Sequence, residues 1–132
     1  MTATPQPTRA ELAILRVLWA RGPSTVRQVH DDLSADRPTA YTTTLKLIQI
    51  MTDKGLVVRS DVGRQHVYRA RQSERAVQKT LVRDLVDRAF DGSSGRLVLQ
   101  ALATRRATPE ELDEIRRLLD EQAAGRRDRD GE

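Results

Sequence analysis

The sequence predicts a mainly α-helical fold: an N-terminal winged helix-turn-helix of three helices and a β-hairpin wing, followed by a C-terminal helical region. Three observations lead to this prediction. Apolar residues recur at three- and four-residue steps over most of the chain, as in helices that bury one face. The period changes after Gly55 to two short runs that are typical of paired strands. The helical period returns at Gln72 and continues almost to the end.

Composition limits the size of the core and the kinds of site. The chain has 132 residues, of which 38% are hydrophobic and 3% aromatic, so we expect a small core with an oligomer interface rather than one large core. It contains no cysteine, which excludes disulfides and thiolate metal sites. It has no apolar run of about 18 residues and no signal-peptide pattern, so we expect a cytoplasmic protein without membrane insertion.

Charge is distributed unevenly along the chain. Residues 1–71 hold 11 Lys/Arg and 6 Asp/Glu, whereas residues 72–132 hold 12 and 13. A basic first half and a balanced second half suit a module that binds a polyanion, joined to a module for association. Random scatter of charge is the alternative, and charge alone does not decide between the two.

The first helix is predicted from its cap and its apolar spacing. Residues 1–7, which contain two prolines, are expected to form a disordered arm. Thr8 and Glu11 have the spacing of a capping box, in which each side chain bonds the other residue's backbone N–H. Helix 1 then covers about residues 9–20, and Trp19 lies in its apolar stripe as a core residue.

Two further helices follow, joined by a short turn. Ser24 is the expected N-cap of helix 2, which covers about residues 25–33. Residues 34–38 are expected to form a turn, because the residue before a proline avoids the helical region. Helix 3 follows over about residues 39–55 and ends at Gly55, where a residue without Cβ can adopt the left-handed conformation. A helix pair of this kind after an anchoring helix is the helix-turn-helix pattern.

Helix 3 has a polar first turn and an apolar second half. The first turn contains residues that are poor choices for a helix interior, namely Tyr41, Thr42, Thr43 and Thr44. The outward face is expected to carry Thr42, Thr43 and Lys46. The inward face is expected to carry Leu47, Ile48 and Met51. Leu45 and Ile50 do not fit easily on this core face, so either the helix is buried broadly or one of them touches DNA or a neighbouring surface. A hydroxyl-rich turn on an anchored helix favours presentation to a partner, which we expect to be the major groove of DNA.

A β-hairpin is predicted after helix 3. Residues 56–60 and 65–69 are short β-type runs, and residues 61–64 between them form a turn in which Gly63 can take a positive φ. Three helices followed by a hairpin give the winged-helix arrangement. Several arginines lie in or next to this wing: Arg59, Arg64, Arg69 and Arg71.

Three more helices are predicted in the C-terminal region. Helix 4 covers about residues 74–90, and helix 5 is apolar on nearly every side and is therefore expected to be buried. Helix 6 begins with a second capping box at Thr108 and Glu111, with Pro109 at the first helical position. We therefore expect a DNA-binding domain at residues 8–71, a helical dimerisation domain at 72–121 and a disordered tail at 122–132.

The apolar surface of the C-terminal helices is too large to bury against a winged helix of about 70 residues, and an exposed apolar patch of this kind normally marks an interface. Dimerisation is the simplest explanation, since a two-fold protein matches a two-fold operator. The expected interface residues are Leu81, Leu85, Leu97, Leu99, Leu102, Leu112, Ile115 and Leu119.

Several motifs make the sequence similar to a known family. The segment YTTTLKLIQIMTDKGLV at residues 41–57 carries most of the similarity, supported by ELAILRVLW at 11–19, TVRQVH at 25–30 and GRQHVYR at 63–69. The C-terminal segments at 97–99 and 110–119 also fit. With these motifs the chain resembles the penicillinase-repressor family of bacterial transcription regulators, of the BlaI/MecI/CopY type, over about residues 8–120.

The resemblance implies a homodimeric repressor that binds a palindromic operator through its winged helix and dimerises through its C-terminal helices. It also implies relief of repression, either by proteolysis through a membrane-bound sensor of β-lactams or by copper. The copper branch uses a C-terminal cysteine cluster, and this chain has no cysteine. In the β-lactam branch the cut falls between Asn and Phe in helix 5, where this chain has Gln100 and Ala101. This possible cleavage region does not match the family's pattern.

The resemblance also implies the residues that contact DNA. The start of helix 3 enters the major groove, which maps onto Thr42, Thr43 and Lys46. Threonines can bond base edges or phosphates through their hydroxyls and can contact a thymine methyl, whereas the lysine can reach a phosphate or a guanine. The alternative for the two threonines is that they only cap the helix. Tyr41 can pack on the DNA backbone or point inward, and the sequence does not decide.

Weaker candidates for phosphate contacts lie on the helices: Arg27, Gln49 and Lys54. On the wing, the candidates for phosphate or minor-groove contacts are Arg59 and Arg64. His30 and His66 are expected to be structural, because two distant histidines without a cysteine do not make a metal site. No nucleophile, base and orienting group recur at a meaningful spacing, so we expect no enzymatic activity, no cofactor and no metal. A winged-helix module for protein interaction and a ligand-sensing winged-helix regulator of another family are the alternative functions.

Overall fold

The computed structural model describes residues 6–130, with side chains through residue 127. Most of the predicted arm, at residues 1–5, and the end of the predicted tail, at residues 131–132, lie outside the described residues. The described elements are α1 (Arg9–Arg21), α2 (Val26–Asp36), α3 (Tyr41–Lys54), β1 (Val57–Val62), β2 (Gln65–Ala70), α4 (Glu74–Ala89), α5 (Ser94–Thr104) and α6 (Pro109–Asp130). The prediction of a mainly α-helical protein with a hairpin wing is confirmed. Within the described residues, no helix is long and apolar enough to span a membrane.

The hydrophobic core of the winged helix lies where the first three helices meet the hairpin. Its buried members are Ile14, Leu15, Leu18, Val26, Val29, Ile48, Met51, Leu56, Val57 and Tyr68. They recur at three- and four-residue steps along the helices, so each helix buries one face and exposes the other. Trp19 packs partly buried against this core, and its indole N–H donates to the carbonyl of Gln72 over 3.0 Å.

The caps of α1 and α2 fix where these helices begin. At α1, Thr8 and Glu11 form the predicted capping box, with both reciprocal bonds present. At α2, the N-cap is Thr25, which forms a second capping box with Gln28. The prediction of Ser24 as this N-cap is therefore wrong. The helix also continues to Asp36, through most of the segment predicted to be a turn.

Ser24 is used instead to connect the helices with the wing. Its backbone N–H donates to the carbonyl of Tyr68 over 2.9 Å, and its carbonyl accepts from the Tyr68 N–H over 2.8 Å. The Ser24 hydroxyl donates to the carbonyl of Gly22 over 2.7 Å. Because Ser24 is fully buried, these bonds satisfy polar groups that could not reach water.

The hairpin is longer and its turn tighter than predicted. The antiparallel strands pair from Val57 with Ala70 to Val62 with Gln65, which leaves a two-residue loop of Gly63 and Arg64. Gly63 has a φ of 65°, and a glycine with positive φ at the first loop position is the requirement of a II′ hairpin turn. The predicted role of this glycine is confirmed, although β1 extends two residues further toward the tip, to Val62, and β2 ends one residue later, at Ala70.

The chain divides into two compact units, one that ends at Asp84 and one that begins at Leu85. The first contains the winged helix. In the second, α5 is capped by the Ser93 side chain and has no buried residue, so the prediction that α5 is buried is wrong for the single chain. The helix α6 has the predicted capping box at Thr108 and continues to Asp130. Residues 122–130 are therefore helical, whereas the sequence predicted a disordered tail.

Candidate nucleic-acid interface

The outward face of α3 carries the polar residues that the sequence assigned to DNA. Thr42, Thr43, Lys46 and Gln49 are all exposed, whereas Thr44, Ile48 and Met51 on the opposite side are buried. Residues at three- and four-residue steps share one face of a helix. The burial pattern therefore brings the four polar side chains together on one surface and anchors the helix through the other.

The two threonines of this face do not cap the helix. The N-cap residue of α3 is Ala40, and no side-chain hydrogen bond caps this end. The hydroxyls of Thr42 and Thr43 have no hydrogen-bond partner among the described residues. Thr42 and Thr43 are therefore not helix caps, and both hydroxyls are available at the surface.

The open question about Tyr41 is answered by its contacts with α2. The residue is 36% exposed, and the guanidinium carbon of Arg27 lies 4.6 Å from the centroid of its ring. The imidazole of His30 and the same ring form a T-shaped pair, with 5.4 Å between centroids and an interplanar angle of 82°. Tyr41 thus neither enters the core nor extends freely, because two residues of α2 hold it at the surface.

His30 also connects α2 to the buried side of α3. Its Nδ1 lies 3.1 Å from the hydroxyl oxygen of Thr44, which is fully buried, and its Nε2 lies 3.3 Å from the hydroxyl oxygen of Ser34. Both ring nitrogens are thereby occupied within the winged helix. This arrangement agrees with the structural role predicted for His30 and fixes the first turn of α3, which lacks a side-chain cap.

Lys54 is held in the structure and not presented to a partner. Its ammonium donates to both carboxylate oxygens of Glu11, over 3.0 and 2.9 Å. The Glu11 side chain is only 2% exposed and that of Lys54 is 32% exposed. Because removing the lysine from this pair would leave a buried carboxylate without its counter-ion, we leave Lys54 out of the proposed DNA contacts.

Burial alone would raise the pKa of Glu11, because a carboxylate is less stable away from water. The backbone N–H of Thr8 and the ammonium of Lys54 together outweigh this effect, and the pKa of Glu11 lies below its ordinary value. The carboxylate is thus charged whenever the protein is near neutral pH. The pair is a charged link between the start of α1 and the end of α3.

The wing presents basic and acidic groups side by side. Arg64 lies exposed in the loop at the tip, and Arg59 is exposed on β1 with its Nε 3.7 Å from a carboxylate oxygen of Asp61. The Nδ1 of His66 lies 2.7 Å from the same oxygen, in agreement with a structural role for this histidine. The charge of Arg59 is therefore partly compensated by Asp61, whereas Arg64 has no ion pair with any of the described residues.

The placement of Leu45 and Ile50 resolves the ambiguity about α3. Leu45 is half-buried and packs against the core, together with Leu47. Ile50 is 37% exposed and stands on the outward face, four residues after Lys46 and seven after Thr43. The helix is therefore buried more broadly than the three predicted residues suggest, and one isoleucine is left on the surface with the polar side chains.

The residues predicted to form a dimer interface are exposed or half-buried in the single chain. Leu99 is 71% exposed, Leu119 56% and Leu85 47%, and the remaining members are half-buried: Leu81, Leu97, Leu102, Leu112 and Ile115. Val98 and Leu118 are further exposed apolar residues of α5 and α6 that were not among the expected interface residues. Gln100 and Ala101 are exposed within α5.

Two contacts were missed by the sequence analysis. Arg27 and Tyr41 are 14 residues apart and on different helices, so no local spacing relates them. The only available signal was a tyrosine followed by threonines at a helix start, which indicates a surface position without naming its neighbour. Glu11 was assigned to the capping box, and its second role as the counter-ion of Lys54 depends on tertiary packing.

Comparisons of the sequence and of the fold with known proteins both find repressor proteins. Residues 7–121 match the family described as penicillinase repressor. The chain belongs to this family. It is therefore a DNA-binding transcriptional repressor with a winged helix, as the motifs in the first half of the sequence implied.

Individual relatives agree with the family assignment. The chain is 36% identical over 116 residues to the transcriptional regulator BlaI of Mycobacterium tuberculosis, covering 87% of this chain and 83% of that one. It is 24% identical over 121 residues to the penicillinase repressor of Bacillus licheniformis, covering 92% and 94% respectively. A solution structure of the DNA-binding domain of the repressor BlaI matches with a TM-score of 0.50 and 26% identity, covering 56% of this chain and 90% of that chain.

Proposed function

We propose that this chain represses transcription as a homodimer that binds a palindromic operator through the outward face of α3 and the wing. The observation that carries the proposal is the division of α3 into two faces. One face is anchored by buried Ile48 and Met51, and the other presents Thr42, Thr43 and Lys46 to the surface. A helix held in this way can place short polar side chains against base edges in the major groove.

Each exposed side chain of this face has a proposed role that follows from its chemistry. The free hydroxyls of Thr42 and Thr43 bond base edges or phosphates, and their methyls can contact a thymine methyl. Lys46 supplies one positive charge to a phosphate or a guanine edge, and Gln49 can bond an adenine or a phosphate. On the wing, Arg64 and Arg59 contact phosphates or the minor groove.

The homodimer is proposed from the exposed apolar side chains of the second unit. Val98 and Leu99 on α5 and Leu118 and Leu119 on α6 are exposed in the single chain. Large apolar side chains in such number at the surface of a small helical unit favour a partner that covers them. A second copy of the chain would do so and would also match the two half-sites of an operator.

Relief of repression is proposed to act on the C-terminal region, by proteolysis or by another signal. Gln100 and Ala101 are exposed on α5, but a protease needs an extended substrate, so cleavage there requires local unfolding of the helix. The protease would belong to a sensor system, the partner that the family resemblance implies. Mass spectrometry of the chain recovered from cells grown with and without a β-lactam tests it, and an intact chain under induction would assign relief to another signal.

Selection of bound DNA from genomic fragments is the decisive test of the main proposal. The full chain, incubated with fragments of its own genome, is expected to enrich a small set of sites with two-fold symmetry. A matched variant, Thr42→Ala with Thr43→Ala, removes both hydroxyls without changing the charge and should lose this enrichment. Absence of any enriched site for the unchanged chain would contradict operator binding, and asymmetric sites would contradict binding by a two-fold dimer.

A further inference from the structure

We propose that Arg27 and Tyr41 together form a binding site for one backbone phosphate of the DNA. The proposal rests on the proposed function and adds to it a site shared between two helices. The guanidinium carbon of Arg27, in the first turn of α2, lies 4.6 Å from the ring centroid of Tyr41, the first residue of α3. Both side chains are exposed, so a phosphate can approach them from solvent.

Both members of the site keep their hydrogen-bond donors available. The attraction between a guanidinium and an aromatic face is electrostatic and does not consume the N–H groups of the arginine. A guanidinium has five N–H donors, and a phenol hydroxyl can donate one more. Neither the Arg27 guanidinium nor the Tyr41 hydroxyl has a hydrogen bond or an ion pair to any of the described residues. All these donors therefore remain for a ligand with several acceptor oxygens.

A nearby arginine of the same domain shows the contrast. The guanidinium of Arg21 donates to both carboxylate oxygens of Asp32, over 3.0 and 2.8 Å. Its charge and its donors are thus already used within the protein, whereas Arg27 has a neutral ring beside it. Arg27 is therefore held in place by an aromatic ring, which leaves its positive charge without a carboxylate partner among the described residues.

The tyrosine ring is itself held in place before any ligand arrives. His30 packs against it at nearly a right angle and is fixed in turn by the hydroxyls of Thr44 and Ser34. A side chain that is already ordered loses less conformational entropy when it binds, so its hydrogen bonds contribute more to the net free energy of binding. His30 is a positioning residue in this arrangement, because it acts on the ligand only through Tyr41.

The position of the site decides what kind of phosphate it would take. Tyr41 immediately precedes Thr42 and Thr43, whose hydroxyls are proposed to reach base edges. A phosphate bound at Tyr41 would therefore belong to the DNA backbone beside those bases. Phosphate contacts fix the register and orientation of a protein on the duplex. The site would set how far the first turn of α3 enters the groove.

Equilibrium binding of the full chain to a fluorescent mixed-sequence duplex, measured over a series of salt concentrations, tests the proposal. Arg27→Gln removes the charge and should lower the slope of log K against log salt by about 0.9, the value for one phosphate. Arg27→Lys should keep the slope but bind several-fold more weakly, because an ammonium lacks the planar fork of donors. Tyr41→Phe should keep the slope and weaken binding by about tenfold or more, since it removes a hydrogen bond from an uncharged donor to a charged phosphate.

Two controls separate this site from general effects. Arg106→Gln removes the same charge from an exposed position of the second unit and should leave the slope unchanged. Urea unfolding of each variant establishes that it is folded under the binding conditions. An unchanged slope for Arg27→Gln, an equal loss of slope for Arg106→Gln, or unchanged binding by Tyr41→Phe would each overturn the proposal. Absence of salt-dependent binding by the unchanged chain would instead contradict the proposed function.

Discussion

The ammonium of Lys54 lies 2.9 and 3.0 Å from the two carboxylate oxygens of Glu11, which joins the end of α3 to the beginning of α1. Glu11 also accepts the backbone N–H of Thr8 over 2.9 Å, so one buried carboxylate serves both a helix cap and an ion pair. The last turn of the proposed recognition helix is therefore fixed to the helix that anchors the domain. The opposite end of α3 is fixed by His30 through Tyr41 and Thr44.

Removing Lys54 should destabilise the winged helix without weakening its contacts with DNA. Lys54→Met leaves a buried carboxylate without its counter-ion, and we expect a loss of about 1–3 kcal/mol in the free energy of unfolding, less than for a fully buried pair because the lysine is partly exposed. Urea unfolding measures this loss. Lys46→Met, at an exposed position of the same helix, should change stability by about 0.5 kcal/mol or less.

The double variant tests whether the two groups interact. Lys54→Met combined with Glu11→Gln should cost less than the two single changes together, because the second change removes the unpaired charge left by the first. Strict additivity would contradict the ion pair as a source of stability. A smaller salt slope for DNA binding by folded Lys54→Met would return this lysine to the list of phosphate contacts.

The stability of the domain should decrease in acid through Glu11. The pKa of this carboxyl is lowered in the folded protein from an ordinary value of 4.5, through the Thr8 N–H and the Lys54 ammonium acting against burial. A group with a lowered folded pKa stabilises the protein above its ordinary pKa, and this contribution is lost as the pH falls through the folded pKa. Unfolding free energies measured from neutral pH to below 4.5 should therefore fall more steeply for the unchanged chain than for Glu11→Gln. Equal slopes would mean that other carboxylates control acid unfolding.

Lys46 should contribute one phosphate contact from the middle of the outward face. Lys46→Ala is expected to weaken operator binding and to lower the salt slope by about 0.9, because one fewer counterion is released. The measurement is binding to a selected genomic fragment at several salt concentrations. Lys79→Ala, at an exposed position of α4, should leave the slope unchanged. An unchanged slope for Lys46→Ala with weaker binding would assign Lys46 to a base edge.

Local chemistry predicted most of the fold because its elements are specified by neighbours in sequence. The capping boxes at Thr8 and Thr108 and the left-handed Gly55 depend on residues within one turn, and the structure has all three. The error at Ser24 has a tertiary cause. Its backbone pairs with Tyr68, 44 residues later, so Ser24 cannot serve as the helix cap, and the adjacent Thr25 takes that position.

The sequence predicted the exposed residues of the candidate site but not the contacts between helices that hold them in place. Helical periodicity separates the outward Thr42 and Lys46 from the inward Ile48, because it depends on one helix alone. It does not reveal that Arg27 stands over Tyr41, since that contact depends on how α2 crosses α3. The exposure of Leu99 was not predicted for a similar reason. An apolar helix has the same sequence pattern whether it is covered by its own chain or by another one.

Ile50 should contact a thymine methyl if α3 lies in the major groove. It is an apolar side chain on the face that carries Thr43 and Lys46, and a methyl group buried against it contributes about 0.8 kcal/mol. Replacing single thymines by uracil in a selected fragment should therefore reduce affinity about three- to fourfold at one position. The Ile50→Ala variant should lose most of this difference, whereas Gln49→Ala should retain it. The same uracil effect in Ile50→Ala would place Ile50 outside the contact.

Leu99 should be essential for association of two chains. It is 71% exposed in the single chain, and covering it in a dimer removes apolar surface from water. Leu99→Asp would place a carboxylate in that interface, at a cost large enough to separate the subunits. Sedimentation velocity should show a dimer for the unchanged chain and a monomer for Leu99→Asp. Circular dichroism should show that the variant keeps its helices. Gln100→Asp adds the same charge one residue further along α5 and should associate more strongly than Leu99→Asp. A dimer that survives Leu99→Asp would place the interface on another surface of the chain.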